Sequence, residues 1–366
     1  MSASSADRGE LAIVLHTHMP YVEGFGTWPF GEEWLWEAMA TCYLPLLDLL
    51  ADGAPLTLSL TPVLADQLEA DGIGERFLAF LRDVRAVTHA RDIAGCRESG
   101  ADELIPELEK SAGDYRAAER RFAAVGGDLL SALAAHAGWT SAATHAVLPL
   151  LATDDGVRLQ VGLGVDSHRR RFGAWGGGFW LPECAHAPWL DPLLEEAGVH
   201  ATCVDLTDVL GEGAPEQLRP LRSAAGPLLV PIDRATIELV WSDQGYPAHG
   251  RYRDYHHHTV HHHRPWGNDG DPYDRETARA LAHDHAADFV ARTIARLDGA
   301  RDALGNPGLC VCALDTELLG HWWHEGLWWL EGVIEEAGSQ GLALALLDDA
   351  LPRHEPVPAP PELPTT

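Results

Sequence analysis

The sequence is poor in basic residues and has almost no lysine. Its 366 residues include 26 lysine and arginine side chains against 55 acidic ones, a formal net charge of −29. Lys110 is the only lysine. Because a chain this acidic is repelled by nucleic acid and by anionic membrane surfaces, we expect neither as a partner. A neutral ligand fits the composition better, and the sequence indicates no particular oligomeric state.

Long hydrophobic runs and paired cysteine motifs are also missing. The apolar run nearest the start covers residues 11–15, which is too short for the hydrophobic region of a signal peptide. No run reaches the roughly 18 apolar residues that a membrane-spanning helix needs. The six cysteines are scattered and form no CxxC motif. We therefore expect buried, reduced thiols in a cytoplasmic protein rather than a disulfide framework.

What the sequence does contain is an alternation of short apolar runs with helical segments. Polar residues follow the apolar runs, and the third run ends near His145. This is the layout of a parallel α/β barrel with its functional site at the carboxyl-terminal rim of the strands. A doubly wound open sheet is the alternative, but no GxGxxG follows the first strand. The runs that predict strands lie within residues 11–20, 56–68, 138–151, 172–185, 200–206, 228–243, 309–323 and 342–351.

The remaining segments complete a predicted domain organisation. Residues 31–50 predict a helix that is kinked or divided at Pro45. Residues 70–135 are rich in Ala, Glu and Arg with helical periodicity and predict a helical insert. We expect one catalytic α/β domain over residues 1–351. The Pro-rich residues 352–366 predict an extended, disordered tail.

Two histidines at the end of the first strand are candidate ligands. His16 and His18 are two residues apart, so both side chains project from the same face of a strand. At a barrel rim such a pair suits a metal ion, as in metal-dependent hydrolases, and it suits sugar hydroxyls equally well. A third possibility is a pair of hydrogen-bonded structural histidines.

Two acidic residues at other strand ends are candidate catalytic groups. Glu183 follows Trp180-Leu181-Pro182, and Asp315 ends the apolar run that begins near residue 309. An apolar setting can raise the pKa of a carboxyl group or leave a carboxylate reactive. Each acid alone could instead be a helix cap or a surface residue. Together, beside tryptophans that can stack on sugar rings, they indicate the carboxylate pair of a glycosidase.

The segment HHHTVHHH at residues 256–263 invites a zinc assignment. Specific zinc sites use spaced ligands that a second shell of hydrogen bonds holds in place. A run of six histidines followed by Arg264-Pro265 favours a solvated segment that binds metals only adventitiously.

Five ordered segments resemble the conserved regions of glycoside hydrolase family 57, and among its members the 1,4-α-glucan branching enzymes. The resemblance extends from about residue 11 to residue 350. The segments are HTHMP (16–20), THAVLPLL (144–151), FWLPECA (179–185), VWSDQGYPAHGRYRDYH (240–256) and LDTELLGHWWHEG (314–326).

The resemblance implies an incomplete (β/α)7 barrel that works by retention, without a metal or other cofactor. It implies that Glu183 is the nucleophile and Asp315 the general acid/base, acting on an α-glucan such as amylose or a glycogen-like polymer. Tyr246 looks like the residue on the family's mobile loop that closes over the cleft and limits water. The residues that the resemblance places around the substrate are His16, His18, Trp28, His145, Trp180, Trp241, Tyr246, His321, Trp322 and Trp323.

The sequence departs from the branching enzymes in two places. Their Arg-Asp pair on the strand before VWS matches Ile232 and Asp233, and we expect Arg234, one residue further on, to point to the opposite face of the strand. The usual C-terminal helical domain has no counterpart here. An α-glucan hydrolase or a weakly active glucan-binding barrel is therefore the alternative to a branching enzyme. A metal-dependent amidohydrolase or deacetylase built on His16, His18, His145 and Asp315 is a further one.

Overall fold

The computed structural model describes residues 8–26, 31–224, 226–360 and 363, which form a ten-stranded sheet surrounded by helices. The apolar runs of the sequence form its central strands. The strands are β1 (Gly9–Thr17), β2 (Leu56–Leu60), β3 (Ala137–Ser141), β4 (Gly178–Trp180), β5 (Ala201–Val204), β6 (Leu221–Arg222), β7 (Leu228–Pro231), β8 (Gly308–Asp315), β9 (Ala343–Leu344) and β10 (Val357–Pro358).

Seven parallel strands form the barrel, in the order β7-β5-β4-β3-β2-β1-β8. Strands β7 and β8 stand at the two ends of this run. Within the described residues these two strands do not pair with each other, and the N–H of Asp233, two residues after β7, donates to the Val311 carbonyl of β8 at 2.9 Å. The short β9 pairs with the beginning of β1, and β6 lies antiparallel to β7. The predicted incomplete parallel (β/α)7 barrel is therefore confirmed.

Helices follow most strands and cover the outside of the barrel. After β1 come α1 (Glu33–Ala38) and α2 (Leu44–Ala51), and the next five α-helices lie between β2 and β3. The others are α3 (Pro62–Leu68), α4 (Ile73–Ala79), α5 (Ala86–Ser99), α6 (Ile105–Ala124), α7 (Leu129–Ala134), α8 (Asp154–Phe172), α9 (Asp191–Glu196), α10 (Thr207–Leu210), α11 (Arg234–Ile237), α12 (Arg275–Leu304), α13 (Gly326–Gln340) and α14 (Leu347–Ala350).

The expected break at Pro45 takes the form of a π-helical turn. Residues Met39–Tyr43 form this turn between α1 and α2, and the Leu44 N–H donates to the Met39 carbonyl. Pro45 has no N–H for the Thr41 carbonyl, so the wider turn lets the helix continue. Gly320 packs so closely here that an added Cβ would lie 2.1 Å from the Thr41 oxygen. The turn thereby fixes the segment that follows β8.

The C-terminal stretch differs from the prediction of a disordered tail. Val357–Pro358 forms β10, which pairs in parallel with β6. The Val357 N–H donates to the Pro220 carbonyl at 3.0 Å, and Leu363 is 9% exposed against the smaller of the two main hydrophobic clusters. The extended conformation that proline favours is thus used to add an edge strand, where few hydrogen-bond donors are needed.

The barrel strands are apolar, and four of the six cysteines lie on them or directly after them. Most of β1 and β8 is fully buried, and their side chains belong to the larger hydrophobic cluster. All six cysteines are buried free thiols. Among the residues that the structure describes, no helix combines the length and apolar composition needed to cross a bilayer.

Candidate active site

Glu183 stands on a strained turn directly after β4. The backbone of Glu183 has a φ of 60° and that of Cys184 a φ of 53°, in the left-handed region that residues other than glycine rarely adopt. Such residues cost on the order of 1–3 kcal/mol each and concentrate at functional sites. Gly178, at the start of the strand, is needed because an added Cβ would lie 2.2 Å from the Trp139 Nε1. The glycines and aromatics before Glu183 therefore pack the strand that carries it.

Asp315 is the last residue of β8 and stands beside β1. Its Cα is the register partner of His16. The Thr17 and Thr316 hydroxyls are 2.8 Å apart and join the ends of the two strands. The acid on β4 and the acid on β8 therefore both stand at the carboxyl-terminal rim, where barrel enzymes place their reacting groups.

The two carboxylates interact electrostatically. Solvent reaches both side chains, yet protein atoms surround Asp315 on most sides. This burial, together with the negative charge of Glu183, raises the pKa of Asp315 to about 6. Asp315 can therefore hold a proton near neutral pH, as a general acid must.

Three histidines form a stack next to Asp315. The rings of His16 and His145 have centroids 4.8 Å apart, and those of His18 and His145 4.0 Å apart. Burial lowers the pKa of His18 to about 3 and that of His145 to about 4, and burial together with the other two rings lowers the pKa of His16 well below its usual range. All three are neutral near pH 7, so they can both donate to and accept from sugar hydroxyls.

Hydrogen bonds fix the orientation of this stack. The Nε2 atoms of His16 and His145 are 2.8 Å apart, so one ring donates to the other. His16 Nδ1 lies 3.2 Å from the Ser59 hydroxyl, and His18 Nδ1 lies 3.2 Å from the Thr61 hydroxyl. Within the described residues no three histidine, cysteine, aspartate or glutamate side chains converge in the manner of a metal site.

His145 differs in position from the sequence-based expectation. Strand β3 ends at Ser141, and His145 lies in the following turn with a φ of 56°. The turn, rather than strand alternation, brings its ring onto His18. Like Glu183, it is a site residue held in the left-handed region.

Two residues predicted to surround the substrate are buried. Trp323 is 2% exposed and packs against Trp329 and Tyr252, so it belongs to the core and forms no open stacking wall. Trp180 is 6% exposed, and its indole stacks on the His16 ring at 4.6 Å. Trp180 therefore packs against the His16 end of the histidine stack.

The other predicted substrate residues are more open. Trp241 is 48% exposed and Trp322 is 44% exposed. His321 is partly exposed, and burial lowers its pKa to about 4. Tyr246 donates to Asp288 at 2.7 Å and stacks on a histidine of α12, so in this conformation it contacts that helix. Trp28 lies outside the described residues.

Arg234 corrects a second expectation. Strand β7 ends at Pro231, so the alternation of strand side chains does not apply to Arg234, which begins α11. Its guanidinium pairs with Asp205, the residue after β5. The Asp205 N–H donates to the Cys184 carbonyl at 3.3 Å. This ion pair therefore lies at the same rim as Glu183. The sequence pattern did not predict it.

Glu317 is a buried acid that the sequence did not single out. It is 5% exposed, and its Oε1 accepts a hydrogen bond of 2.5 Å from the Tyr43 hydroxyl and one of 3.2 Å from the His18 N–H. Burial, with a smaller contribution from Asp315, raises the pKa of Glu317 to about 8. Glu317 is thus a neutral acid near pH 7 that holds the backbone beneath the histidine stack.

Replacing Glu317 with glutamine should make the fold less sensitive to alkaline pH. The pKa of Glu317 in the folded state, about 8, exceeds its ordinary value of 4.5. The contribution of Glu317 to the free energy of unfolding is therefore complete below about pH 4.5 and is lost as the pH rises through about 8. Thermal unfolding from about pH 5 to about pH 9 should show a smaller decline for Glu317→Gln than for the original protein. Glu335→Gln, at a side chain 66% exposed, is the control. Equal declines in all three proteins would contradict the assignment.

The chain matches known proteins over almost its whole length. The family model for glycosyl hydrolase family 57 matches residues 139–360. The chain is 31% identical to a 1,4-alpha-glucan branching enzyme of Thermococcus kodakarensis over 95% of its own length, and it spans 58% of that protein. It is also 31% identical to a protein of Mycobacterium tuberculosis named "Probable 1,4-alpha-glucan branching enzyme", of which it spans 72%.

A solved structure shows the same arrangement. The GH57-type branching enzyme from Pyrococcus horikoshii superposes with a TM-score of 0.89 at 30% identity, covering 98% of this chain and 72% of that one. The matched part includes the strands that carry both carboxylates. By sequence and by fold, the chain belongs to glycosyl hydrolase family 57.

Proposed function

We propose that the protein is a retaining α-glucan enzyme of the 1,4-α-glucan branching type. It would cleave an α-1,4 linkage and transfer the released chain to form an α-1,6 branch. The observation that carries the proposal is the pair of rim carboxylates, one on a strained turn after β4 and one with a raised pKa at the end of β8. The names of its relatives agree with this activity.

The first step uses both acids. Glu183 attacks the anomeric carbon of the donor glucan and forms a covalent glycosyl-enzyme. Asp315 gives its proton to the glycosidic oxygen, which leaves as the 4-hydroxyl of the departing chain. Retaining pairs of this kind stand about 5–5.5 Å apart, so that the carboxylate reaches carbon without an intervening water.

The second step reverses the roles. Asp315, now ionised, removes the proton from the 6-hydroxyl of an acceptor glucan, and that oxygen displaces Glu183 from the anomeric carbon. Two inversions give net retention. When water is the acceptor, the same chemistry gives hydrolysis.

The remaining site residues bind and orient the glucan. The neutral stack of His16, His18 and His145 would hydrogen-bond the sugar at the cleavage site, since neutral rings do not attract competing anions. Exposed Trp241 and Trp322 would stack on neighbouring sugar rings. We place the activity in glycogen-like polymer synthesis in the cytoplasm, the compartment that suits six free thiols.

An amylose assay tests the function directly. Incubation with amylose should lower iodine absorbance without a matching rise in reducing ends, because branching shortens linear segments and creates no new reducing ends. A digest with a debranching enzyme should then release short chains. A fall in absorbance with stoichiometric reducing ends would instead identify a hydrolase. Binding with neither change would identify a glucan-binding barrel.

A further inference from the structure

Side-chain contacts hold the histidine-rich segment 256–263 against the rest of the fold. Three of its side chains bind one buried carboxylate on α5, that of Asp92: the Thr259 hydroxyl at 2.5 Å, His261 Nδ1 at 2.6 Å and His263 Nδ1 at 2.7 Å. The His263 ring also stacks on His89 of α5 at 3.6 Å. This segment is therefore held against the helical insert, and His261 and His263 are engaged in contacts with Asp92 and His89.

A cavity of about 550 Å³ lies between this segment, α1 and the beginning of α5. Ligand sites usually measure about 300–1,000 Å³. The lining combines aromatic and hydrogen-bonding side chains, among them Trp34, Tyr255, Glu33, His262 and His321. His262 has a φ of 64°, so the segment adopts a strained conformation where it faces the cavity.

The charges of this lining favour a neutral ligand. Arg85 is paired with Glu37, and Arg264 lies over the Tyr255 ring at 4.0 Å. Burial raises the pKa of Glu33, although Arg85 partly offsets this effect. Both arginines of the cavity already have partners, and the remaining lining offers an aromatic wall with several hydrogen-bond donors and acceptors. Such a lining suits a polyhydroxyl compound better than an anion.

The cavity adjoins the acid/base side of the catalytic cleft. The Tyr255 ring packs beside the Trp322 ring at 4.8 Å. The Trp322 N–H donates to the carbonyl of Glu317, two residues after Asp315. Asp315 acts on the oxygen that joins the donor sugar to its leaving group and later to its acceptor. The cavity therefore borders the segment that follows β8, and its lining includes His321, one of the residues that the resemblance places around the substrate.

We propose that this cavity binds the acceptor α-glucan chain, with Trp34 packing against a sugar ring and Glu33 accepting from its hydroxyls. The inference rests on the proposed function, whose second step needs a glucan hydroxyl in place of water. A filled cavity raises the local concentration of acceptor next to Asp315. It thereby favours transfer over hydrolysis of the same glycosyl-enzyme.

Glu33→Ala and Trp34→Ala test the inference by separating the two half-reactions. With a maltosyl fluoride donor, fluoride release reports the first step, and we expect both variants to stay within about twofold of the original protein. The maltoheptaose concentration that gives half-maximal transfer should rise by about tenfold, the loss typical of one well-packed contact. Glu335→Ala, on the outer helix α13, is the matched control.

The outcomes are distinct. Unchanged half-saturation in both Glu33→Ala and Trp34→Ala would overturn the inference. If the original protein passes its glycosyl group only to water at every maltoheptaose concentration, the proposed function fails. A binding measurement then tests whether the cavity holds a glucan chain. Calorimetric titration of Glu183→Gln with maltoheptaose should show weaker affinity when Trp34→Ala is added. Equal affinity would overturn the inference in that case too.

Discussion

Replacing Glu183 with glutamine should abolish transfer and hydrolysis alike. Glutamine keeps the shape of the side chain but cannot form the covalent glycosyl-enzyme, and loss of a covalent nucleophile costs on the order of 10⁴–10⁶ in turnover. The measurement is the rate on amylose, with Glu195→Gln, an exposed acid on α9, as the control. Unfolding curves should coincide, because the substitution changes no packed contact.

A trapping experiment makes the same point without a mutation. A fluorinated glucosyl fluoride slows breakdown of the intermediate, so the adduct accumulates and peptide mapping can locate it. The label should be on Glu183. An adduct on any other carboxylate, or a Glu183→Gln protein that keeps a tenth of its activity or more, as a rough limit, would contradict the nucleophile assignment.

Replacing Asp315 with asparagine should lower the rate on amylose by about 10²–10⁴, the usual contribution of a general acid. The loss should be much smaller for fluoride release from maltosyl fluoride, since that leaving group needs no proton. Azide should restore turnover and give a glycosyl azide of retained configuration, because it attacks the glycosyl-enzyme without help from a base. Absence of the azide product would count against the acid/base role.

The pH profile of the original protein provides an independent measure of Asp315. Its raised pKa of about 6 means that the acid form persists to that pH and is lost above it. For amylose, kcat/KM should therefore fall as the pH rises through about 6. The same limb should be absent from the fluoride-release rates of Asp315→Asn. A limb that survives the substitution would belong to another group.

The positions of the barrel strands along the chain could be predicted from the sequence, because a buried parallel strand appears there as an apolar run that ends in polar residues. Glu183 and Asp315 could be paired for the same reason, since each follows such a run. The left-handed conformation of Glu183 and His145 could not be predicted. In a sequence, glycine is the residue that indicates a left-handed conformation, and neither position is a glycine.

Adjacent tryptophans show a second limit. Trp322 and Trp323 lie in an irregular segment after β8, where no periodicity tells which side chain faces solvent. The structure exposes Trp322 and buries Trp323. Glu317 shows a third limit, since an acid is normally read as a surface residue and its partner Tyr43 lies 274 positions away. Only tertiary packing brings the two together.

The position of the two carboxylates on β4 and β8 has a consequence for stereochemistry. Three strands, β3, β2 and β1, stand between them around the barrel. Their separation therefore depends on the curvature of the whole sheet as well as on the turn that carries Glu183. Because that separation decides whether a water molecule fits between acid and base, a flatter sheet would favour inversion over the retention proposed above, without changing either residue. In the proposed mechanism, the radius of the barrel thus helps to determine the anomeric configuration of the product.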